Sequence, residues 1–127
     1  MATVVFFSIP AQGHTNPTLG VVRELTARGH RVIYYSFEAF REKIQAAGAE
    51  FVGCEGFAPA AGLTRQAGAR VGSDLALSTR VLVDTILALD GPVCREMERL
   101  GPDCIVGDSM AVWAKTVAQK LGIPYVF

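Results

Sequence analysis

The sequence predicts an α/β fold, a doubly wound parallel sheet with helices on both faces. Three observations predict it. Short apolar runs recur along the chain, each of a length suited to a strand buried on both faces. Segments with helical spacing lie between them, and glycine closes most of these. The order helix, glycine, strand occurs twice between Pro17 and Val52, which is the rhythm of right-handed crossovers in a parallel sheet.

The first strand is Val4-Val5-Phe6-Phe7. It breaks at Pro10 and passes through Gly13. Asn16-Pro17 reads as the start of a helix. Asparagine caps it, and proline at the first helical position loses no needed hydrogen bond. That places His14 in the turn after strand one. The helix runs from Pro17 to Arg28 with Leu19, Val22 and Leu25 on one face, and Gly29 ends it. Arg31-Val32-Ile33-Tyr34-Tyr35 is the second strand. A second helix covers Glu38 to Ala47, with Phe40 and Ile44 one turn apart and Gly48 at its end. Phe51-Val52 centres a short third strand.

From Cys54 to Gly72 the rhythm stops in a Gly- and Ala-rich loop. Long loops in compact domains are usually functional or disordered. Phe57 and Leu63 either line a ligand site or pin the loop to the core. Ser73 then caps a long helix whose apolar side holds Leu75, Leu82, Ile86 and Leu89. Gly91-Pro92 interrupts it, and Val93, Met97 and Leu100 continue in a segment kinked from the first. Gly101-Pro102 stops that segment. Asp103-Cys104-Ile105-Val106-Gly107 is the fourth strand. Asp108-Ser109 opens a helix in which Trp113, Val117 and Leu121 lie four apart. Gly122 caps it, and Pro124-Tyr125-Val126-Phe127 begins a fifth strand.

Composition narrows the function. The 127 residues make one domain, half of them hydrophobic, with a formal net charge of zero. A neutral chain without a basic run gives no support to nucleic-acid binding. No apolar stretch approaches the roughly 20 residues of a membrane helix. Met1-Ala2-Thr3 lacks the positive region of a secretory signal, so the expected location is the cytoplasm. Cys54, Cys94 and Cys104, with His14 and His30, make no metal-ligand pattern. They read as reduced thiols in or near the core. The first turn has one glycine where the dinucleotide fingerprint needs three, so an oxidoreductase is a weak reading and no cofactor is expected.

Two polar residues follow strands at the same end of the sheet. His14 follows strand one and Asp108 follows strand four. In a doubly wound sheet the order reverses beside strand one, so strand four is its neighbour across the switch point, where ligands bind. A carboxylate on one imidazole nitrogen holds the tautomer, and the other nitrogen then takes a proton from a hydroxyl. Taken singly, His14 also reads as a loop histidine bonded to backbone, and Asp108 as a helix cap. His30 sits past a helix end between charged residues, solvated and at the opposite end of the sheet.

Gly13-His14-Thr15-Asn16-Pro17-Thr18-Leu19 resembles the Gly-His-x-Asn-Pro signature of the macrolide-type glycosyltransferases. These belong to the UDP-sugar-dependent family with two facing Rossmann-like domains, the GT-B fold. Arg28-Gly29-His30-Arg31-Val32, Pro102-Asp103-Cys104-Ile105-Val106-Gly107-Asp108 and Leu121-Gly122-Ile123-Pro124 are similar to that family too. The resemblance implies that residues 1–127 form an incomplete amino-terminal, acceptor-binding domain, with the donor-binding carboxyl-terminal domain absent. It implies that His14 deprotonates the acceptor hydroxyl and Asp108 partners it. Acceptor-binding candidates are Gln12, Phe57, Leu63 and Met110. The implied acceptor is an apolar hydroxylated small molecule such as a macrolide, polyketide or flavonoid, and the implied donor is a UDP-sugar. On this reading the chain alone is inactive, and an uncovered sheet edge at Pro124 to Phe127 favours self-association. The competing reading is a non-catalytic module that holds a small molecule in the same cleft.

Overall fold

The computed structural model describes residues 1–8, 12–54, 75–109 and 111–127. Five strands form one parallel sheet: β1 (Thr3–Phe7), β2 (Arg31–Ser36), β3 (Glu50–Gly53), β4 (Cys104–Gly107) and β5 (Tyr125–Val126). Their order is β3-β2-β1-β4-β5, so the winding reverses between β1 and β4, as the sequence predicts. Register is fixed by pairs such as Phe6 with Tyr34 and Phe7 with Gly107. The carboxyl ends of β1 and β4 therefore finish side by side.

Alternation along the strands sorts the core into two layers. Val4, Phe6, Val32 and Tyr34 face α1 (Gln12–Ala27) and α2 (Arg41–Ala46), where Leu19, Val22 and Ile44 cover them. A 3-10 turn, Glu38–Phe40, leads into α2 and buries Phe40. Val5, Phe7, Ile33, Tyr35 and Ile105 face α3 (Leu75–Leu100) and α4 (Val112–Leu121). Trp113 and Val117 of α4, with Leu89, Val93 and Met97 of α3, close that side. Tyr35 donates to Glu96 Oε2 at 3.0 Å, and Arg99 holds the same oxygen at 2.9 Å, so α3 is keyed to β2. An ion pair between Lys120 and Asp90 ties α4 to α3.

Several expectations change. Asn16-Pro17 does not open the first helix. α1 already includes Gln12, and Pro17 lies inside it. Proline there forfeits only the bond to the Gly13 carbonyl, while Thr15 and Leu19 are buried against the sheet. Packing of the first turns outweighs one lost bond. Gly91-Pro92 likewise fails to interrupt the long helix, which runs unbroken for 26 residues through Pro92. Leu89, Val93 and Met97 form a fully buried stripe across the proline, and that continuous contact holds both sides in one helix. Leu75 is not on the apolar side, being 84 % exposed, and Ile86 and Leu100 are only partly buried. The helix after β4 starts at Val112, not at Asp108-Ser109. His30 is not simply solvated, since its Nδ1 accepts the Ala2 N–H at 3.0 Å, at the amino end of the sheet. Ser73, the side chain of Leu82 and the loop from residue 55 onward lie outside the described residues. The three cysteines are free thiols, Cys54 buried and Cys94 and Cys104 partly so. No helix among the described residues is long and apolar enough to cross a membrane.

Gly48, between α2 and β3, combines a positive φ with a close neighbour. Its φ is +102°, and a Cβ there would lie 2.8 Å from Thr26 Oγ1 and 3.1 Å from Thr26 Cβ. Gly101 also has positive φ (+57°) but open space around it. Gly48→Ala is expected to destabilise by about 2–3 kcal/mol, from strain plus collision, and Gly101→Ala by about 1 kcal/mol. Urea midpoints at a common m-value check this. Equal costs would show that the contact with Thr26 yields freely.

Candidate active site

The site is built where β1 and β4 end. The Asp108 N–H donates to the Phe7 carbonyl at 3.1 Å, which fastens the end of β4 to the end of β1. Asp108 Oδ1 accepts the Ala111 N–H at 3.0 Å. The carboxylate is thus held by the turn before α4, and its side chain is only 8 % exposed. His14 comes from the opposite face, on the first turn of α1. Its Nδ1 lies 3.5 Å from Asp108 Oδ1, and its side chain is 33 % exposed. That is an ion-pair separation, a little beyond the N···O span of about 2.7–3.2 Å for a hydrogen bond. The imidazole therefore has one nitrogen toward a buried carboxylate while the side chain as a whole stays partly exposed.

Behind His14 lies a group of hydroxyls that the sequence reading did not single out. Thr15 and Ser8 are buried, with their oxygens 3.4 Å apart. Tyr34 OH donates to Ser8 Oγ at 3.0 Å. Thr18 Oγ1 lies 2.7 Å from Tyr34 OH and 2.6 Å from the Thr15 carbonyl oxygen. Burial pushes the Tyr34 phenol above its usual range, and the charge of Asp108 adds to that, so it stays a neutral donor. The signal available in sequence was slight: a serine ending an apolar strand and two threonines one turn apart beside His14. On the other side of Asp108, the Tyr125 side chain covers Gly107 so closely that any Cβ there would collide with the phenol. Burial, then the Asp108 charge, raise the Tyr125 phenol as well.

Gln12 is exposed at the start of α1, at the same end of the sheet. Met110, Phe57 and Leu63 lie outside the described residues. Among the described residues no three His, Cys, Asp or Glu side chains gather as a metal site.

No protein-family model matches the chain. The chain is 35% identical over 126 residues to an oleandomycin glycosyltransferase of Streptomyces antibioticus, covering 98% of this chain and 28% of that protein. It is 31% identical over 136 aligned positions to an NDP-glycosyltransferase of Bacillus subtilis (strain 168), covering 97% of this chain and 30% of the relative. The crystal structure of the glycosyltransferase of kitacinnamycin superposes with a TM-score of 0.80 at 28% identity, over 98% of this chain and 29% of that one. In sequence this chain is similar to macrolide and other glycosyltransferases, and its fold is that of a Rossmann-like half of a GT-B glycosyltransferase. It spans less than a third of the length of these relatives. The sheet order is the one the alternation of strands and helices predicts, and His14 and Asp108 stand 3.5 Å apart where β1 and β4 end.

Proposed function

We propose that this chain is the acceptor-binding, amino-terminal part of an inverting glycosyltransferase. The observation that carries the reading is the juxtaposition of His14 and Asp108 at the switch point of the sheet. His14 acts as general base. With its Nδ1 proton held toward Asp108, Nε2 offers the lone pair that receives the proton of an acceptor hydroxyl. The acceptor oxygen then forms a bond to the anomeric carbon while the bond from that carbon to the diphosphate breaks. The nucleoside diphosphate leaves with the electron pair, and the configuration at the anomeric carbon inverts. Asp108 stabilises the imidazolium until the proton returns to solvent.

The acceptor is an apolar hydroxylated small molecule of the macrolide, polyketide or flavonoid kind, and the donor is a nucleotide-sugar, a UDP-sugar by the family resemblance. The names of the relatives support this: one is an oleandomycin glycosyltransferase and another an NDP-glycosyltransferase. Phe57, Leu63, Met110 and Gln12 are proposed as acceptor contacts. The donor is held by a second domain, and the whole works in the cytoplasm.

The test is product analysis with the enzyme that carries this chain together with a donor-binding domain. An α-linked nucleotide-sugar and a hydroxylated acceptor are expected to give a β-linked glycoside and one equivalent of nucleoside diphosphate. Retained configuration at the anomeric carbon would reject the single-displacement mechanism. Acceptor binding without any product would make the chain a binding module.

A further inference from the structure

We infer that the hydroxyl ring of Ser8, Thr15, Thr18 and Tyr34 is the device that aims His14 at Asp108, with Tyr34 and Thr18 as positioning residues. The inference rests on the reading of His14 as the base.

The first turn of a helix has few bonds of its own, because its leading N–H groups lack partners inside the helix. Here Pro17 removes one more, leaving the Gly13 carbonyl without a helical donor. His14 stands on that weakly tied turn. A catalytic side chain must be held within a fraction of an ångström by neighbours that are themselves locked. The hydroxyl ring supplies the missing ties. Thr15, the residue after His14, is fully buried, with its hydroxyl 3.4 Å from that of Ser8, a looser contact than the others of the ring. Thr18, one turn on, shares its single hydroxyl proton between the Thr15 carbonyl oxygen at 2.6 Å and the Tyr34 oxygen at 2.7 Å. Tyr34 closes the ring by donating to Ser8. Its own ring is fixed by stacking on Phe6, with centroids 5.5 Å apart and planes at 19°. Both strands beneath α1 therefore grip the turn that carries His14. Asp108 is fixed independently, by Phe7 and Ala111. The ring's bonds run to the turn that carries His14, so its influence on His14 passes through the α1 backbone.

Tyr34→Phe keeps the stacked ring and removes one oxygen. Thr18→Val removes the hydroxyl and keeps the shape, and Thr18→Ser keeps the hydroxyl. In the enzyme that carries this chain, Tyr34→Phe and Thr18→Val are expected to slow turnover of an alcohol acceptor about tenfold, with acceptor KM nearly unchanged. An acidic phenol acceptor, already partly ionised, should be slowed less than about twofold, because it leans less on the base. Thr18→Ser should stay near the parent. A merely structural role would slow both acceptors alike, and that result overturns the inference, as does an unchanged alcohol rate. A second measurement separates this from the base assignment. In the 127-residue chain, the His14 Cε1–H resonance should broaden or split in Tyr34→Phe, while that of His30, at the other end of the sheet, stays put. If Tyr34→Phe disturbs His14 but His14→Ala leaves alcohol turnover intact, the ring aims His14 and the base assignment is what fails. If His14→Ala abolishes turnover and Tyr34→Phe disturbs neither resonance nor rate, the base stands and the ring does not aim it.

Discussion

His14→Ala is expected to lower turnover of alcohol acceptors by about 10²–10⁴-fold, the contribution of a positioned general base, with acceptor binding nearly intact. An alcohol is a poor nucleophile at neutral pH and must lose its proton as the new bond forms. Of the two histidines, only His14 stands at the ligand end of the sheet; His30 accepts a hydrogen bond from Ala2 at the other end. Asp108→Asn should lower the rate by a smaller or similar factor. The amide oxygen can still accept the Ala111 N–H, so the turn before α4 survives, but the charge that favours the imidazolium is gone. The double variant should be little worse than the worse single one, because both act on one proton transfer. Steady-state kcat and KM for an alcohol and a phenol of similar size give the readout. Equal slowing of phenol and alcohol by His14→Ala, or full additivity with Asp108→Asn, would show that His14 is structural.

The strand order and the His14–Asp108 pair were legible because both follow from periodicity and from one topological rule. Apolar runs separated by helices imply a parallel sheet, and reversal beside β1 places β4 next to it. The two prolines depart from local propensity for a single reason. Local propensity says that Pro17 and Pro92 should start or break helices, but burial of Thr15, Leu19, Leu89, Val93 and Met97 holds the surrounding turns in place. One missing backbone bond is small beside several buried side chains. The hydroxyl ring was illegible because Tyr34, the member that joins the others, is 26 residues from Ser8. Tyr34 meets Ser8 only once Phe6 pairs with Tyr34 and α1 lies across both strands. Exposure of Leu75 was equally hidden, since a leucine at helical spacing looks the same whether or not something covers it.

The 127-residue chain by itself is expected to transfer no sugar. On the proposed reading its described residues provide a base and a carboxylate to orient it, but the chain spans less than a third of the relatives it matches. In the proposed reaction the donor is held by another domain that faces this one. Holding two reactants in one oriented site is worth effective concentrations of roughly 10⁵–10⁸ M. Without that, a nucleotide-sugar meets the acceptor only by free diffusion, and the leaving diphosphate lacks the groups that such a domain aims at its charge. A base worth about 10²–10⁴-fold does not replace those terms. The purified chain, its mass confirmed to end at Phe127, should give no glycoside above background with UDP-glucose and a panel of phenolic and macrolide acceptors. Adding a polypeptide that carries a donor-binding domain of this family should restore turnover, and His14→Ala in the first chain should remove it again. Multiple turnovers by the chain alone, lost on His14→Ala, would mean that a single Rossmann-like half holds both substrates, and the two-domain division of labour proposed for it would be wrong.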